Sequence, residues 1–326
     1  MLKILPIHID HLERLLKLFN KATKRNDFLY EALTMEQFKE KFYQNTETYE
    51  IQTFVAIFDQ EPIGFSSGVF DLKTNKAYIT MVLMEVSYRR LGYGKQLLHM
   101  LEKKLLEKPL QQQKIEIVFF NPVNLSWQIP HTNALHPNAP GIDQASMGYQ
   151  FFKAQGYKDF AVQNVYYKDI RTYAYSNTIL KLNDELNQKG FVFDYFKVNK
   201  DQGLVEMLNN LGSPVWLDTI IKHIESKGMD NTLLVPTMNN LVVGFTGPLM
   251  VEKSMRGYFA GIGIHSDYRG HGLAKVLFSK LIMGLKEMGA HYMTLFTGEN
   301  NPARRMYEKE GFEIVKTFID LRKESF

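Results

Sequence analysis

The sequence predicts an α/β chain made of two αβ domains of one type, and three observations lead there. A β-favouring run that turns through small residues into an amphipathic helix occurs at residues 258–285 and again, about 180 residues earlier, at 77–105. Each copy continues with a strand-like run and a helix that ends in a Gly-aromatic pair, Gly156-Tyr157 and Gly311-Phe312. The length, 326 residues, is enough for two cores of ordinary domain size. The first domain is placed at 1–172, a helical connector at 173–190 and the second domain at 191–326.

In chain order, Leu2–Ile9 reads as a strand, and Asp10 as the N-cap of a helix with Leu12, Leu15, Leu16 and Phe19 on one face. Thr34-Met35-Glu36-Gln37 is a capping-box pattern and opens a second helix over Thr34–Tyr43. Two β-like runs, Thr53–Phe58 and Gly64–Phe70, are joined by Asp59-Gln60-Glu61-Pro62 as a hairpin turn. A third strand, Ala77–Val86, enters the first turn, and the helix beyond it carries Leu97, Leu98, Leu101 and Leu105. A strand at Lys114–Phe120, a long loop, a helix with Phe151 and Phe152 and a last strand at Phe160–Lys168 complete the first copy. The connector holds Ile179, Leu180, Leu182 and Leu186 at helical spacing, which predicts a packed helix. In the second copy a strand near Phe191–Phe193 precedes helices around Gly203–Asn209 and Leu217–Glu225. Strands at Leu233–Thr237, Leu241–Thr246 and Tyr258–Ile264 lead to the second turn. There follow a helix with Leu273, Val276, Leu277, Leu281 and Leu285 inward and a strand at His291–Thr297.

The second turn reads Tyr268-Arg269-Gly270-His271-Gly272-Leu273-Ala274-Lys275, the first Tyr88-Arg89-Arg90-Leu91-Gly92-Tyr93-Gly94-Lys95. Small residues between strand and helix let a ligand approach the backbone, and the free N–H groups of the first helical turn point outward together. With the helix dipole they suit a phosphate or pyrophosphate. No Lys-Ser/Thr pair follows, as a nucleoside-triphosphate loop requires, and the third glycine of a dinucleotide fingerprint is missing. Downstream lies Asn301-Pro302-Ala303-Arg304-Arg305-Met306-Tyr307-Glu308-Lys309-Glu310-Gly311-Phe312.

These two segments, in this order, resemble the GNAT superfamily of N-acetyltransferases. The family's loop reads [QR]-x-x-G-x-[GA], and its later Asn…Tyr…Gly-[FY] helix holds coenzyme A. The resemblance implies two tandem GNAT folds, each a mixed, mostly antiparallel sheet flanked by helices, with acetyl-CoA as co-substrate and no metal. It implies that Ile262, Gly263, Ile264 and His265 align the pantetheine arm like an added strand. The N–H groups of Gly270, His271, Gly272, Leu273, Ala274 and Lys275, shaped by Arg269, would hold the pyrophosphate. Asn301 would bind the arm, and Tyr307 would protonate the leaving thiolate. Glu299 is the best-placed base, with His265 second. In the first copy Arg90, Leu91, Gly92, Tyr93, Gly94 and Lys95 form the corresponding cofactor loop.

Aligning Gly156 with Gly311 sets Phe152 against Tyr307, Gly148 against Ala303 and Ser146 against Asn301. A Phe cannot donate a proton, so the first copy reads as catalytically degenerate. It has gained a long loop, Asn121–Asp143, whose Trp127 and prolines suggest an ordered lid or wall. The loop's His131, His136 and Asp143 fit no standard zinc spacing.

With no cysteine in the chain, an acyl group cannot pass through a cysteinyl intermediate, and direct transfer to an amine is expected. A net charge of +4 is slight for this length and argues against a nucleic-acid partner. No apolar run is of membrane-spanning length, and a cytoplasmic protein without a membrane partner is expected. The acceptor expected is a small-molecule amine, and the oligomeric state is open. Two rivals stand beside this acyltransferase. One is a coenzyme A-binding regulator without turnover. The other is an aminoacyl transferase of the FemX type, which takes its acyl group from tRNA and does not need the phosphate loop.

Overall fold

The computed structural model describes residues 1–227 and 232–324. The elements run β1 (Lys3–Pro6), α1 (Leu12–Lys24), α2 (Met35–Phe42), β2 (Tyr49–Phe58), β3 (Glu61–Asp71), β4 (Lys76–Met84), α3 (Tyr93–Leu106) and β5 (Ile115–Ile117). Then come β6 (Trp127–Gln128), β7 (Leu135–His136), β8 (Ile142–Asp143), α4 (Met147–Ala154), β9 (Lys158–Asp169), α5 (Asn177–Gln188) and β10 (Phe191–Tyr195). After α6 (Leu204–Asn210) and α7 (Pro214–Lys227) follow β11 (Leu234–Met238), β12 (Leu241–Val242), β13 (Gly244–Thr246), β14 (Arg256–Gly257) and β15 (Ile262–Ile264). The last are α8 (Leu273–Glu287), β16 (Tyr292–Gly298), α9 (Arg304–Lys309) and β17 (Glu313–Lys323). Two compact units divide this chain. One takes residues 1–165, 296–300 and 315 onward; the other takes 166–295 and 301–314. The C-terminal strand, read from the sequence as part of the second domain, thus lies from Val315 in the first unit.

In the first unit the sheet is ordered β1-β2-β3-β4-β5-β17-β9. The pairs from β1 to β4 are antiparallel, as is β5 with β17, and β4 runs parallel to β5. That one parallel pair is held only at Ala77–Ile115 and Tyr78–Glu116, beyond which the two strands separate. Side chains alternate between the faces. Leu97, Leu98, Leu101 and Leu105 of α3 pack on one face with Ile115, Ile117 and Leu321. Leu15 and Phe19 of α1, with Phe38 and Phe42 of α2, pack on the other against Val55 and Phe65. In the second unit the antiparallel sheet β10-β11-β13-β15 carries α8 on one face, while α6 and α7 meet Val235 and Phe245 on the other. The mixed, mostly antiparallel sheet between helices is as the sequence predicts.

Local signals hold where side chain and backbone satisfy each other. Thr34 Oγ1 accepts the Gln37 N–H (3.2 Å) and Gln37 Oε1 the Thr34 N–H (2.8 Å), the expected capping box. The hairpin turns on Asp59 and Gln60, at φ 48° and 68°, so β3 begins already at Glu61. The connector is helical, capped by Ser176, with Ile179 and Leu186 buried and Leu180 outward. Asp10 is not the cap expected of it: His8 caps a 3-10 turn over Ile9–His11, and the Asp10 carboxylate pairs with His8. The run Tyr258–Ile264 is not one strand. Its path leaves β14, which pairs with β16, and joins β13 only from Ile262, with the Ala260 carbonyl taken by the Trp216 indole N–H (3.1 Å).

Polar groups anchor the C-terminal strand. Lys323 lies 3.0 Å from both oxygens of the buried Glu102, which also accepts the Tyr157 hydroxyl, and Arg322 pairs with the buried Glu116 (2.6 Å). Asp320, 3% exposed, accepts one hydrogen bond from Gln163 (2.9 Å), and among the described residues its Oδ1 has no partner. Burial pushes its carboxyl up to about 6, the Gln163 bond pulls the other way, and Glu116 adds to the rise. A folded pKa above the ordinary 3.8 means that this contribution to stability is whole below about pH 4 and is lost as pH rises through 6. Asp320→Asn is therefore expected to change stability little at pH 3.5 and to raise it at pH 7.5 by up to about 3 kcal/mol. Melting curves at the two pH values decide it; a variant no more stable than the parent at the higher pH counts against a buried charge there.

Candidate functional site

β15 ends its sheet: Ile262, Gly263 and Ile264 pair with Thr246, Phe245 and Gly244 on one side, and no strand among the described residues pairs with the other edge. His265 follows and caps the 3-10 turn Ser266–Tyr268, its Nδ1 accepting the Asp267 N–H (3.3 Å). The next residue, Arg269, folds back so that Nε donates to the Ile264 carbonyl (2.9 Å), closing the turn on the strand that it leaves.

Gly270 and Gly272 then stand at φ 86° and 87°, a region that costs an L-residue about 1–2 kcal/mol. This bend brings the chain directly into α8 with no side chain capping it. The N–H groups of Gly270, His271 and Gly272 find no acceptor among the described residues, and those of Leu273 and Ala274 open the helix with no carbonyl behind them. Lys275 departs from the expected row of donors, because its N–H is bonded to the Gly272 carbonyl (3.0 Å). The His271 ring lies beside Phe191, and Ala274 is half-buried against the core.

The first unit repeats this turn with other electrostatics. Arg89 Nε donates to the Met84 carbonyl (3.0 Å), and Arg90 and Gly92 hold φ 63° and 82°. Arg89, not Arg90, therefore stands where Arg269 does, as aligning Tyr88 with Tyr268 would have indicated. Its guanidinium also binds Asp27 Oδ2, the same oxygen that Arg25 holds (2.8 Å). Burial alone would raise the Asp27 carboxyl, but these hydrogen bonds hold it below its ordinary range. Arg269 has no carboxylate partner among the described residues, so its charge stays unpaired where that of Arg89 is paired, although the first loop also carries Arg90 in the place of Gly270. Leu91 and Lys95 are exposed, Tyr93 stacks on Phe58, and Gly94 packs over Met84 and Phe151.

Tyr307, 5% exposed, sits on α9 among Phe278, Tyr166 and Phe259, with ring centroids at 5.1, 6.0 and 6.2 Å. Burial, reinforced by Tyr166, pushes its hydroxyl up to about 12, so it stays protonated at neutral pH. The approach to α9 is fixed by Asn301, whose Oδ1 accepts the Ala303 N–H (2.9 Å); the side chain is itself exposed. Glu299 is also exposed, and it belongs to the first unit, where its N–H bonds the Val162 carbonyl (2.9 Å). The sequence reading missed Tyr166, Tyr173, Ser279 and Glu310, which surround α9 and show no local motif.

In the first unit Phe152 is buried against Tyr157. The loop 121–143 folds over that unit as an ordered wall. Trp127, fully buried, packs on Phe318 (5.1 Å) and donates to the Asn138 carbonyl (3.0 Å). His136 stacks on Trp127, His131 lies exposed, and Asp143 pairs with Lys316 (2.9 Å). Where β4 and β5 part, Asn121 Nδ2 bonds the Ile79 carbonyl (3.3 Å) and Thr80 Oγ1 (3.0 Å), which leaves a cavity of about 40 Å³.

Comparison with known proteins agrees with these elements. The acetyltransferase (GNAT) family matches residues 13–125 and 212–312. A ribosomal protein bS18-alanine N-acetyltransferase of Haemophilus influenzae is 38% identical over 108 residues, 33% of this chain and 68% of that protein. Among solved structures, a tandem GNAT protein of the clavulanic acid pathway superposes with a TM-score of 0.61 at 12% identity, over 99% of this chain and 98% of its own. A GCN5-related glucosamine N-acetyltransferase region of a fungal multi-domain β-N-acetylglucosaminidase gives 0.71 at 13% identity, over 99% of this chain but only 38% of that one.

The two glycines differ in what surrounds them. A Cβ at Gly272 would press on Leu182 at 3.1 Å, whereas Gly270 has open space and Arg90 already tolerates the equivalent conformation. Gly272→Ala is expected to cost about 1–2 kcal/mol and Gly270→Asn less than about 1, since Asn accepts this conformation best. Thermal melts of the two variants measure the order; a loss in Gly270→Asn as large as that in Gly272→Ala would overturn it.

Proposed function

The chain belongs to the acetyltransferase (GNAT) family and is an acyltransferase by that membership; we propose that its second unit transfers an acetyl group from acetyl-CoA directly to a primary amine. The observation that carries this is the row of unbonded N–H groups from Gly270 to Ala274 at the start of α8, reached from an open-edged strand. The edge of β15 offers backbone groups to the pantetheine amides, as an added strand would. The row of donors, the helix dipole and the charge of Arg269 favour the pyrophosphate. Asn301, with its carbonyl oxygen engaged by the Ala303 N–H, keeps its amide nitrogen to offer to the arm.

In the reaction a neutral amine attacks the thioester carbonyl carbon, a C–N bond forms, and the C–S bond breaks. Tyr307 gives its proton to the departing sulfur, and the surplus amine proton, passed through water, returns the phenolate to the phenol. A phenol held at about 12 is a weak acid, so it releases the proton only to a thiolate in the same dry surroundings, where the sulfur is equally reluctant to stay charged. His265 is engaged at Nδ1 by the Asp267 N–H, which supports water over this ring as the acceptor of the amine proton. In the first unit Phe152, the neutralised Arg89 and the Asn121 contact support a copy without turnover.

The acceptor proposed is a small-molecule amine. The Haemophilus relative, named for an alanine of a ribosomal protein, favours a second reading in which the acceptor is a protein amino group.

Titration of the whole chain with acetyl-CoA is expected to show one site, weakened at least tenfold by the added charge in Gly270→Asp and kept in Gly92→Asp. Two sites would remove the distinction between the copies, and no site would sink the acetyl-CoA reading. Tyr307→Phe should lower kcat by about 100-fold with KM for acetyl-CoA within about twofold. Because the acid must be protonated and loses its proton only as pH rises through about 12, kcat should show no falling limb from this group below about pH 10. Turnover by the Phe variant at the parent rate would exclude the acid role, and screening small amines against an N-terminal alanine peptide separates the two acceptors.

A further inference from the structure

α9 spans six residues, Arg304–Lys309, too short to hold its own shape. Tyr307 on it is gripped by aromatic rings, which resist separation but allow sliding and tilting. What fixes the helix along and around its axis must therefore be directional: the Tyr166 hydroxyl donates to Glu308 Oε1 (3.1 Å) on the helix, and three further bonds meet at Glu310 at its end. Its Oε1 lies 2.8 Å from Ser279 Oγ and its Oε2 accepts the Tyr173 hydroxyl at 2.8 Å. Its main-chain carbonyl accepts from the Lys168 ammonium. The Ser279 hydroxyl also lies 2.9 Å from the Lys275 carbonyl and has one proton to place; the carboxylate is the stronger acceptor. Tyr173 is tied in turn, its carbonyl accepting from Lys286 at the far end of α8 (2.6 Å).

Glu310 follows Tyr307 by three residues, so both side chains leave the same face of the chain. That face meets two successive residues of α8: Phe278 contacts the Tyr307 ring and Ser279 contacts Glu310. The same α8 begins at Leu273 with the open N–H row. Ser279 stands six positions after Leu273, about 9 Å along the axis. One rigid helix thus carries the anion-binding end and the attachment point of the phenol.

We propose that Glu310 is a positioning residue, and that its bonds to Ser279 and Tyr173 set the distance from the phosphate cradle at which the Tyr307 hydroxyl meets the cofactor sulfur. This rests on the acetyl-CoA reading above. Loss of the clamp leaves the cradle and the open edge of β15 in place, so binding survives while the proton arrives at the wrong point.

The test combines amide hydrogen exchange with steady-state kinetics on the full chain, in Glu310→Ala, Glu310→Gln and the milder Ser279→Ala. In Glu310→Ala and Ser279→Ala the expected result is exchange at least about tenfold faster in α9 and unchanged at the start of α8. The Kd for acetyl-CoA should stay within about twofold, and kcat should fall at least about tenfold. Glu310→Gln, which keeps an acceptor, should recover most of it. Added to Tyr307→Phe, Glu310→Ala should cause no further fall. Unchanged exchange in α9, or an equal fall of kcat with Tyr307 already replaced, overturns the positioning role while leaving the acetyltransferase reading intact. A parent chain that binds no acetyl-CoA removes that reading, and this proposal with it.

Discussion

An α-helix cannot satisfy its first N–H groups from within, and α8 makes that deficit its most exposed feature. Three helices of this chain begin differently. Ser146, Ser176 and Thr34 each lend an oxygen to a nearby N–H, so those helix starts present bonded donors. At α8 the cap position is Gly272, which has no side chain to lend. The left-handed bend there comes without a Cβ, so the donors stay open and the helix dipole is uncompensated. The surrounding structure keeps that end still. Val276, Leu277, Phe278, Leu281 and Leu285 are fully buried, and Arg269 ties the turn to the strand before it. A row of open donors is useful only if it is rigid, and here the core on one side of the helix supplies the rigidity.

The two copies show that one backbone device can be kept while its chemistry drifts. Both turns have an arginine that bonds the last carbonyl of the strand, and both have a glycine at the helix cap. Backbone conformation is thus conserved between them at 180 residues' remove, or thereabouts, while the charge on the arginine is spent on Asp27 in one and not in the other. The same holds for the aromatic position on the last helix. Phe152 and Tyr307 are buried to a similar degree, so packing alone would accept either ring. Only the hydroxyl separates them, and a hydroxyl driven up to about 12 by burial is retained against a desolvation cost that a Phe would avoid. A stability argument favours Phe at both places, which makes the phenol in the second unit the informative choice.

What was legible in the sequence is what short-range geometry encodes. The capping box at Thr34, the connector helix and both glycine turns depend on residues within a few positions of one another, and each stands where the pattern places it. Cap chemistry went astray at Asp10 because His8, two residues earlier, also offers an acceptor, and periodicity cannot rank two neighbouring candidates. Tyr258–Ile264 looked like one strand because its residues suit a sheet throughout. Strand propensity reports fit to a pleated surface and says nothing of which partner the backbone finds. The run divides where Trp216, more than forty residues away in sequence, takes a carbonyl that a ladder would have used.

The same reasoning explains why the residues around Tyr307 were invisible. Tyr307 announces itself through its spacing from Asn301 and Gly311, all on one short segment. Its supports come from elsewhere in the chain: Tyr166 and Tyr173 from the end of β9 and the segment after it, Ser279 from the middle of α8. Each of them reads locally as an ordinary strand or helix residue, because the demand that they meet arises only when α9 must be held. A helix of six residues has too few internal bonds to define its own position, so its placement depends on its surroundings, and that information is spread over segments more than a hundred residues apart. A chemical group can be read from a motif, whereas the precision with which it is held belongs to contacts that no motif contains.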